Sequence, residues 1–416
     1  MRAALTRIAH KRSLSAMPSA RFRAATGRRD PALDGLRGVA ILLVYIFHYG
    51  GGLRSTNPFV HALGYFAETG WTGVILFFAL SGFLITGSLW DSRDERDVLR
   101  NFYTRRVLRI FPLYYAILLI ALIAAVARGN RLGELSPVLL YAGFLQNLPG
   151  LVTTALKPIS PLPLFHLWSL AVEEQFYILW PALVLFSGTR SRALNLSLWI
   201  VALSELFRIL THLPVVPPEL AATLDPFILT HAGTLALGAA LALALRGPHW
   251  QIVERWAVTA FWAGLVLYLL ASWSSATFYL SPAPQFTIGL LGVGIASTAI
   301  IPLAMRAGRL RSILCSPPLR FLGRISYGFY VLHIFIEPLI DVLGGHLAHA
   351  TSGAMYQLAR FVIAFPLTVL LATLSFYFFE QPILAYKRRF PMHSPLPPVE
   401  HTAPSPSAKF TDGGST

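Results

Sequence analysis

Charged residues are scarce in this sequence, and most of them carry one sign. Only 13% of the 416 residues are charged and 55% are hydrophobic, whereas an average soluble domain has roughly 25% charged residues. The 34 Lys and Arg residues outnumber the 19 Asp and Glu residues, which gives a formal net charge of +15. This composition argues against a water-soluble fold. The basic residues lie between apolar blocks, so no nucleic-acid partner is predicted.

Cysteine is also nearly absent. Cys315 is the single cysteine, which excludes an intrachain disulfide framework and a Cys-rich zinc site. We predict no metal site and no tightly bound cofactor. The first thirty residues are rich in Arg but contain no apolar core, so they are not a cleavable secretory signal. We interpret residues 1–30 as a basic cytoplasmic tail, and an Arg-rich organelle transit peptide is the alternative.

Long apolar blocks dominate the rest of the chain. Blocks of about 18 to 22 residues are long enough to cross a hydrocarbon core about 30 Å thick. They predict an all-α integral membrane bundle of about ten transmembrane helices. The predicted spans lie near residues 33–50, 71–90, 110–127, 166–187, 192–211, 227–245, 256–272, 284–304, 324–343 and 358–380. The apolar segment 137–147 is too short for a span, and we interpret it as re-entrant or interfacial.

The positions of the basic residues predict the orientation. If the N-terminus is inside, most of the 34 Lys and Arg residues fall in inner segments, as the positive-inside rule requires. An even number of spans then places both termini in the cytoplasm. Residues 391–416 are rich in Pro, Ser, Thr and Gly, which predicts a disordered tail. We therefore expect a multi-pass protein of the inner or plasma membrane, surrounded by lipid, with its membrane domain over residues 31–390.

The first predicted span, LDGLRGVAILLVYIFHYG, carries two ionisable residues, Arg37 near its inner end and His48 near its outer end. At 100° per residue they share one helix face and are separated by roughly 16 Å. This suits a long ligand such as a pantetheine arm, with a charged head at Arg37 and a reactive end at His48. Because histidine titrates near neutral pH, His48 is a candidate base for a sugar hydroxyl that attacks a thioester. Alternatively, Arg37 is a positive-inside anchor and His48 an interfacial residue.

A second basic group precedes the third span, in TRRVLRIFPLYY. Arg105, Arg106 and Arg109 lie there within about two helical turns. Guanidinium groups bind phosphate oxygens well, so these residues are candidates for binding the phosphates of a donor. Basic residues are also usual at the inner end of a helix, so the anchor interpretation remains open.

The fourth span opens with the polar segment HLWSLAVEEQFYILWP. Ser169 and Glu173 are one turn apart on one face. We expect such groups to hydrogen-bond a sugar, or Glu173 to orient the His48 imidazole, which makes Glu173 a catalytic candidate with Arg37 and His48. Acceptor-binding or supporting roles are predicted for His166, Trp168, Ser169 and Glu174. A polar network that joins helices is the alternative.

The ninth span, ISYGFYVLHIFIEP, carries polar residues at intervals of four, three and four, namely Ser326, Tyr330, His333 and Glu337. Such spacing predicts one polar stripe that faces the bundle interior. Tyr330 and His333 are further candidates for acceptor binding or support, although a stripe of this kind also joins helices. Glu380 lies before Pro382, and we interpret it as structural because proline stops a helix.

These segments together resemble acyltransferase family 3, the polytopic membrane acyltransferases that acylate sugars of bacterial surface polysaccharides and some secreted metabolites. The resemblance covers about residues 31–390. It is carried by six motifs in order: LDGLRGVAILLVYIFH, LSGFLIT, TRRVLRIFPLYY, HLWSLAVEEQFYILWP, ISYGFYVLH and FFEQP.

The resemblance implies an acyl-CoA, most often acetyl-CoA, as co-substrate on the cytoplasmic side and a polysaccharide, glycolipid or glycoside as acceptor outside. It also implies that Arg37 and His48 matter for transfer. One departure lies in THAGTLALG, where relatives often have an Arg and an acid but this sequence has His231 and Gly233. Some relatives carry an extra span and an esterase-like C-terminal domain that this sequence lacks. We therefore expect the chain to complete the transfer itself, or to act with a partner acyltransferase or as a homo-oligomer.

The leading hypothesis is an O-acyltransferase that moves an acetyl group from CoA across the membrane to a sugar hydroxyl. A transporter that uses the intramembrane His and Glu residues as a proton relay is the alternative. Against it, the sequence shows neither paired Gly- or Pro-broken helices nor two matching halves. A scaffold without chemistry is harder to reconcile with so many ionisable residues in spans, each of which carries an insertion cost.

Overall fold

The protein was studied as a computed structural model that describes residues 30–51, 57–129, 136–152, 164–248, 250–279, 283–338, 340 and 353–392. Over these residues the secondary structure is helical and contains no strand. The predicted tails, residues 1–30 and 391–416, lie almost entirely outside the described residues. The all-α fold predicted from the apolar blocks is confirmed.

The first half of the chain contains a series of helices separated by short connections. They are α1 (Pro31–Gly50), α2 (Pro58–Glu68), α3 (Thr72–Asp91), α4 (Val98–Ala127), α5 (Ser136–Ala142), α6 (Trp168–Phe186) and α7 (Arg190–Thr211). The second half continues with α8 (Pro218–Leu224), α9 (Ile228–Ala244), α10 (Trp250–Ser275), α11 (Leu290–Met305), α12 (Arg309–Leu314), α13 (Pro317–Leu332), α14 (Gly353–Leu374) and α15 (Gln381–Ala385).

Tighter and wider turns extend several of these helices. Single 3₁₀ turns lie at Thr69–Trp71, Phe165–Leu167, His333–Ile336 and Tyr386–Arg389. Two π-helical segments, Gln285–Gly289 and Ser375–Glu380, lead into α11 and α15. The sequence suggested that Pro382 ends a helix, but in the structure it does not. It lies in the first turn of α15, where a missing N–H costs little.

Eight helices in the described part of the chain are long and apolar enough to cross a membrane, or up to nine if the bent pair α8 and α9 is one span. This agrees with the predicted multi-pass bundle. The predicted span 324–343 corresponds to α13, which has 16 residues and continues as the 3₁₀ turn His333–Ile336. Residues 341–343 of that span lie outside the described residues.

Two predicted boundaries were wrong. Helix α4 has 30 residues and begins at Val98, well before the predicted start at 110, because its basic first turns continue the helix beyond the apolar block. The predicted span 71–90 corresponds to α3. Helix α2 comes directly before it, and α2 and α3 together form one continuous apolar stretch, Pro58–Asp91. The segment 137–147 contains only α5, of seven residues, which is too short to cross a membrane.

Close helix packing places α1 and α3 at the centre of the bundle. A Cβ atom at Gly323 of α13 would lie 1.7 Å from the carbonyl oxygen of Asp34 in α1. At Gly82 of α3 it would lie 1.9 Å from the carbonyl oxygen of Leu235 in α9. Small residues allow helices in a membrane to approach this closely, and van der Waals contact then stabilises the pair.

An ion pair lies at one end of the bundle. We call this end the basic end. Arg246, just after α9, donates from Nε to Oδ1 of Asp91 at 2.7 Å and from Nη2 to Oδ2 at 2.6 Å. Both side chains are largely buried. Nearby, Arg311 of α12 pairs with Asp30 at 3.0 Å. The opposite end, where α1 ends at His48 and Gly50, is called the histidine end.

Candidate active site

Two adjoining pockets lie inside the bundle between α1, α3, α4, α6 and α13. The first, a cavity of about 280 Å³, lies toward the basic end and is called the arginine pocket. The second, of about 150 Å³, lies toward the histidine end and is called the histidine pocket. Val74 and Tyr330 line both cavities. The two pockets are therefore neighbours along one path through the bundle.

Cationic side chains surround the arginine pocket. They are Arg37, Arg105, Arg106, Arg109 and Lys387. A single carboxylate, that of Glu173, lines it with them. A cavity with this excess of positive charge favours an anionic ligand such as a phosphate.

Neighbouring side chains hold the arginines in place. The Arg37 Nε donates to Ser326 Oγ at 3.4 Å. The Arg106 guanidinium lies between two rings, 5.5 Å from that of Phe102 and 5.6 Å from that of Tyr177. Cation–π contacts of this kind keep a guanidinium oriented where water is scarce.

Glu173 belongs to the arginine pocket. The Tyr177 hydroxyl, one turn along α6, donates to Glu173 Oε2 at 3.1 Å. The same hydroxyl contacts Ser81 Oγ of α3 at 2.5 Å. In the part of the chain that the structure describes, no hydrogen bond joins Glu173 to His48. The suggestion that Glu173 orients the His48 imidazole is not supported by this geometry.

Tyr330 lies where the two pockets meet. Its hydroxyl donates to the carbonyl oxygen of His166 at 2.6 Å. The hydroxyl has one hydrogen, so the 2.5 Å contact with Ser169 has the Ser169 Oγ as donor. These two hydrogen bonds fix the phenol between the two cavities, both of which it lines.

His48 lines the histidine pocket at the end of α1. Its Nδ1 lies 2.9 Å from the carbonyl oxygen of Val44, and because a carbonyl only accepts, Nδ1 carries the hydrogen. A neutral His48 therefore has its lone pair on Nε2. Arg37 and His48 thus line two successive pockets along one helix, as their spacing predicts.

The ring of His333 packs against the ring of His48. The two ring centroids are 4.7 Å apart in an edge arrangement. His333 Nδ1 donates to the carbonyl oxygen of Tyr330 at 2.7 Å. Its Nε2 is buried and has no hydrogen-bond partner among the described residues. His333 lines neither pocket, and its ring contacts those of His48 and His166.

The opposite wall of the histidine pocket comes from α6 and α9. His166, Trp168 and His231 line it. His166 Nε2 donates to the carbonyl oxygen of Val331 at 3.3 Å, and His231 Nε2 to that of Asp225 at 3.0 Å. The rings of Trp168 and His231 are in tilted contact, with a centroid distance of 4.8 Å. The aromatic rings form an apolar surface with polar edges, which suits a sugar ring.

The structure brings nearly all predicted site residues to these two pockets. Two of them line neither pocket, namely His333, described above, and Glu174. The Glu174 side chain is buried and lies close enough to Tyr114 and Arg106 for electrostatic interaction. Glu337, from the predicted stripe, follows the 3₁₀ turn after α13 and pairs with Arg360 of α14 at 2.8 Å.

Sequence reasoning missed several pocket residues. Tyr177 was detectable, because it lies one turn after Glu173 on the same face. Ser81, within LSGFLIT, carried no charge that would mark it. His231 was noticed only as a departure from a pattern, yet it lines the histidine pocket. Lys387 was indistinguishable from the neighbouring Arg388 and Arg389 in a basic run.

The fold and the pockets define a polytopic α-helical membrane protein with a charged cavity that continues into a histidine-lined one. A family model described as an acyltransferase domain matches residues 30–377. The chain belongs to this acyltransferase family, as the six motifs predict. The transporter alternative is not favoured by this membership.

Curated relatives carry names that fit the family. The chain is 28% identical over 379 residues to the peptidoglycan O-acetyltransferase OatA of Listeria monocytogenes, covering 85% of this chain and 55% of the relative. It is 28% identical over 383 residues to the "Putative peptidoglycan O-acetyltransferase YrhL" of Bacillus subtilis, covering 86% and 55%. The chain thus spans about half the length of these relatives. No solved structure matches it significantly.

Proposed function

We propose that the protein is a membrane O-acetyltransferase that moves an acetyl group from acyl-CoA to a sugar hydroxyl on the other side of the membrane. The observation that carries this proposal is the succession of two pockets joined at Val74 and Tyr330. A CoA thioester has phosphates at one end and a reactive carbonyl at the other. The arginine pocket is suited to the phosphates, and the histidine pocket is suited to the reactive carbonyl.

The donor would enter from the basic end, which we assign to the cytoplasm of a bacterial plasma membrane by the positive-inside rule. Arg37, Arg106 and Arg109 would bind its phosphates, and the pantetheine arm would run along α1. The rise of roughly 16 Å between Arg37 and His48 is of the length that this arm needs.

His48 would act as general base through Nε2. It would take the proton of the sugar hydroxyl as that oxygen attacks the thioester carbonyl carbon, forming the new C–O bond. The carbon–sulfur bond then breaks, and the protonated imidazole returns the proton to the leaving CoA thiolate. The Nδ1–H bond to Val44 holds the ring in the tautomer that this role requires.

The acceptor would bind against His166, Trp168 and His231 in the histidine pocket. Two relatives are named for peptidoglycan, so a sugar polymer of the cell envelope is the first acceptor to test. Other bacterial surface polysaccharides, glycolipids and secreted glycosides belong to the same chemical class.

The proposal is tested with the purified full chain in lipid vesicles, labelled acetyl-CoA and a panel of such acceptors. Wild-type protein is expected to transfer label to a sugar hydroxyl. The variant His48→Ala is expected to lose about 10²- to 10⁴-fold in rate, because a positioned base contributes that much.

The matched control is His61→Ala. His61 contacts the Tyr65 ring and lines neither pocket, so transfer should continue at the wild-type rate. Full transfer by a folded His48→Ala protein would remove the general-base role. Absence of transfer from acetyl-CoA to any sugar by the wild type would contradict the proposed function itself.

A further inference from the structure

The last helical turn of the described residues, Tyr386–Arg389, and the two residues after it lie against the first turns of α4. Arg105 Nη1 donates to the carbonyl oxygen of Phe390 at 2.9 Å and to that of Lys387 at 3.3 Å. Asn101 Nδ2 donates to the carbonyl oxygen of Pro391 at 2.8 Å. Asn101 and Arg105 are four residues apart and therefore share one face of α4.

Two of these carbonyl groups, those of Phe390 and Pro391, come directly after the 3₁₀ turn Tyr386–Arg389, and the third, that of Lys387, also accepts from the backbone N–H of Phe390. The 3₁₀ turn Tyr386–Arg389 is thereby held against α4 rather than left to extend into solvent. A consequence is that one of three consecutive basic residues is turned inward. Lys387 is half-buried and lines the arginine pocket, whereas Arg388 and Arg389 are exposed.

We propose that Lys387 binds a phosphate of the nucleotide end of the donor at the mouth of the arginine pocket, and that Asn101 and Arg105 are positioning residues for it. This rests on the proposed function, because it assumes that a CoA thioester is the donor. It also changes the role predicted for Arg105, which lines the pocket but donates from Nη1 to two backbone carbonyls.

The chemistry of the two kinds of cation supports this division. Arg37, Arg106 and Arg109 extend from α1 and α4, and Arg37 and Arg106 lie against rings or a hydroxyl inside the bundle. Lys387 comes from the opposite end of the sequence and carries a compact ammonium on a flexible stem. Such a group binds phosphate as a point charge and needs no fixed fork geometry.

The test compares two donors that differ in their phosphates. Binding of acetyl-CoA and of the phosphate-free S-acetylpantetheine is measured calorimetrically on the full chain in nanodiscs. Lys387→Gln is expected to weaken acetyl-CoA binding about tenfold, the usual cost of losing one charge-assisted contact. It should leave S-acetylpantetheine binding unchanged, and Lys387→Arg should restore most of the acetyl-CoA affinity.

Arg388→Gln is the matched control, because it removes an equal charge from the adjacent exposed residue; it should leave both affinities unchanged. Asn101→Ala should also weaken acetyl-CoA binding and leave S-acetylpantetheine binding unchanged, because Asn101 acts only through its hydrogen bond to the backbone. A positioning role predicts this selectivity, whereas a general loss of structure would lower both affinities.

Three results would overturn the proposal. They are unchanged acetyl-CoA binding in Lys387→Gln, an equal loss for both donors, and an equal effect of Arg388→Gln. If the wild type binds S-acetylpantetheine or acetyl-CoA but Lys387 has no effect, only this inference fails. If the wild type binds neither donor, the proposed function fails as well.

Discussion

Single side chains decide what the two pockets can bind. A guanidinium inside a membrane bundle is costly unless rings, hydroxyls or a ligand surround it. Arg106 meets the rings of Phe102 and Tyr177, and Arg109 lies 5.7 Å from the ring of Tyr327. These ring contacts help to hold two of the cations that line the arginine pocket, as the proposed binding of a phosphate-bearing donor requires.

The Tyr177 hydroxyl links the carboxylate of Glu173 to the serine of α3. In Tyr177→Phe, Glu173 loses its donor while the ring that packs on Arg106 remains. We expect acetyl transfer to fall about tenfold, the cost of one hydrogen bond to a charged group. Initial rates with labelled acetyl-CoA check this.

Tyr103→Phe is the control for that substitution. It also removes a hydroxyl between α4 and α6, one that donates to the carbonyl oxygen of Ile178 at 2.9 Å, but Tyr103 lines neither pocket. Its transfer rate should equal that of the wild type. Equal losses in the two variants would mean that the Glu173 contact has no special importance.

At the scale of the elements, the length of α4 explains the position of the basic residues. Its 30 residues extend for about 45 Å, more than the roughly 30 Å of hydrocarbon. The first turns therefore pass beyond the core and place Asn101 and Arg105 beside the end of the last helix. The predicted start at residue 110 marked the boundary of the apolar block and not that of the helix.

The ion pair of Asp91 and Arg246 joins the end of α3 to the end of α9. In Asp91→Ala the guanidinium, whose side chain is only 3% exposed, keeps its charge without this partner. We expect the free energy of unfolding to fall by about 3–5 kcal/mol, as when one half of a buried pair is removed. Chemical unfolding in detergent, followed by circular dichroism, measures this.

The exposed ion pair of Arg93 and Asp94 serves as a comparison for the buried pair of Asp91 and Arg246. Asp94 lies 3.4 Å from Arg93 and its side chain is 86% exposed, so Asp94→Ala should cost at most about 1 kcal/mol. Exchange of the charges in Asp91→Arg with Arg246→Asp should recover part of the loss. A small effect of Asp91→Ala would show that water reaches Arg246.

For the whole molecule, the proposed chemistry requires the two pockets to face opposite sides of the membrane. We expect Arg388→Cys, at the basic end, to react with an impermeant maleimide only after spheroplasts are permeabilised. Ala62→Cys, on the exposed surface of α2 near the histidine end, should react in intact spheroplasts. Both are made in a Cys315→Ala background, because Cys315 is the single native cysteine.

The unsubstituted Cys315→Ala protein serves as the control for background labelling. Reversed accessibility of the two positions would contradict the orientation that the basic residues predict. Accessibility of both from the same side would contradict the number of spans between them.

Much of the fold follows from the sequence because a membrane restricts the choices. A block of about 20 apolar residues must become a helix, since its backbone polar groups have no water to bond. The shared face of Arg37 and His48 followed from the helical repeat alone. The paired carboxylates of α6 were less predictable, because only packing places Glu173 in the pocket and turns Glu174 away.

The sequence by itself determined the all-α membrane fold, the family and the residues that carry charge inside the bundle, because each depends on local composition and spacing. The tertiary structure alone decided which of these residues meet. Lys387 and Arg105 are far apart in the chain, and they come together only because the first turns of α4 lie beside the 3₁₀ turn Tyr386–Arg389. Contacts between distant segments arise from helix packing, and the periodicity of a single helix contains no information about its neighbours.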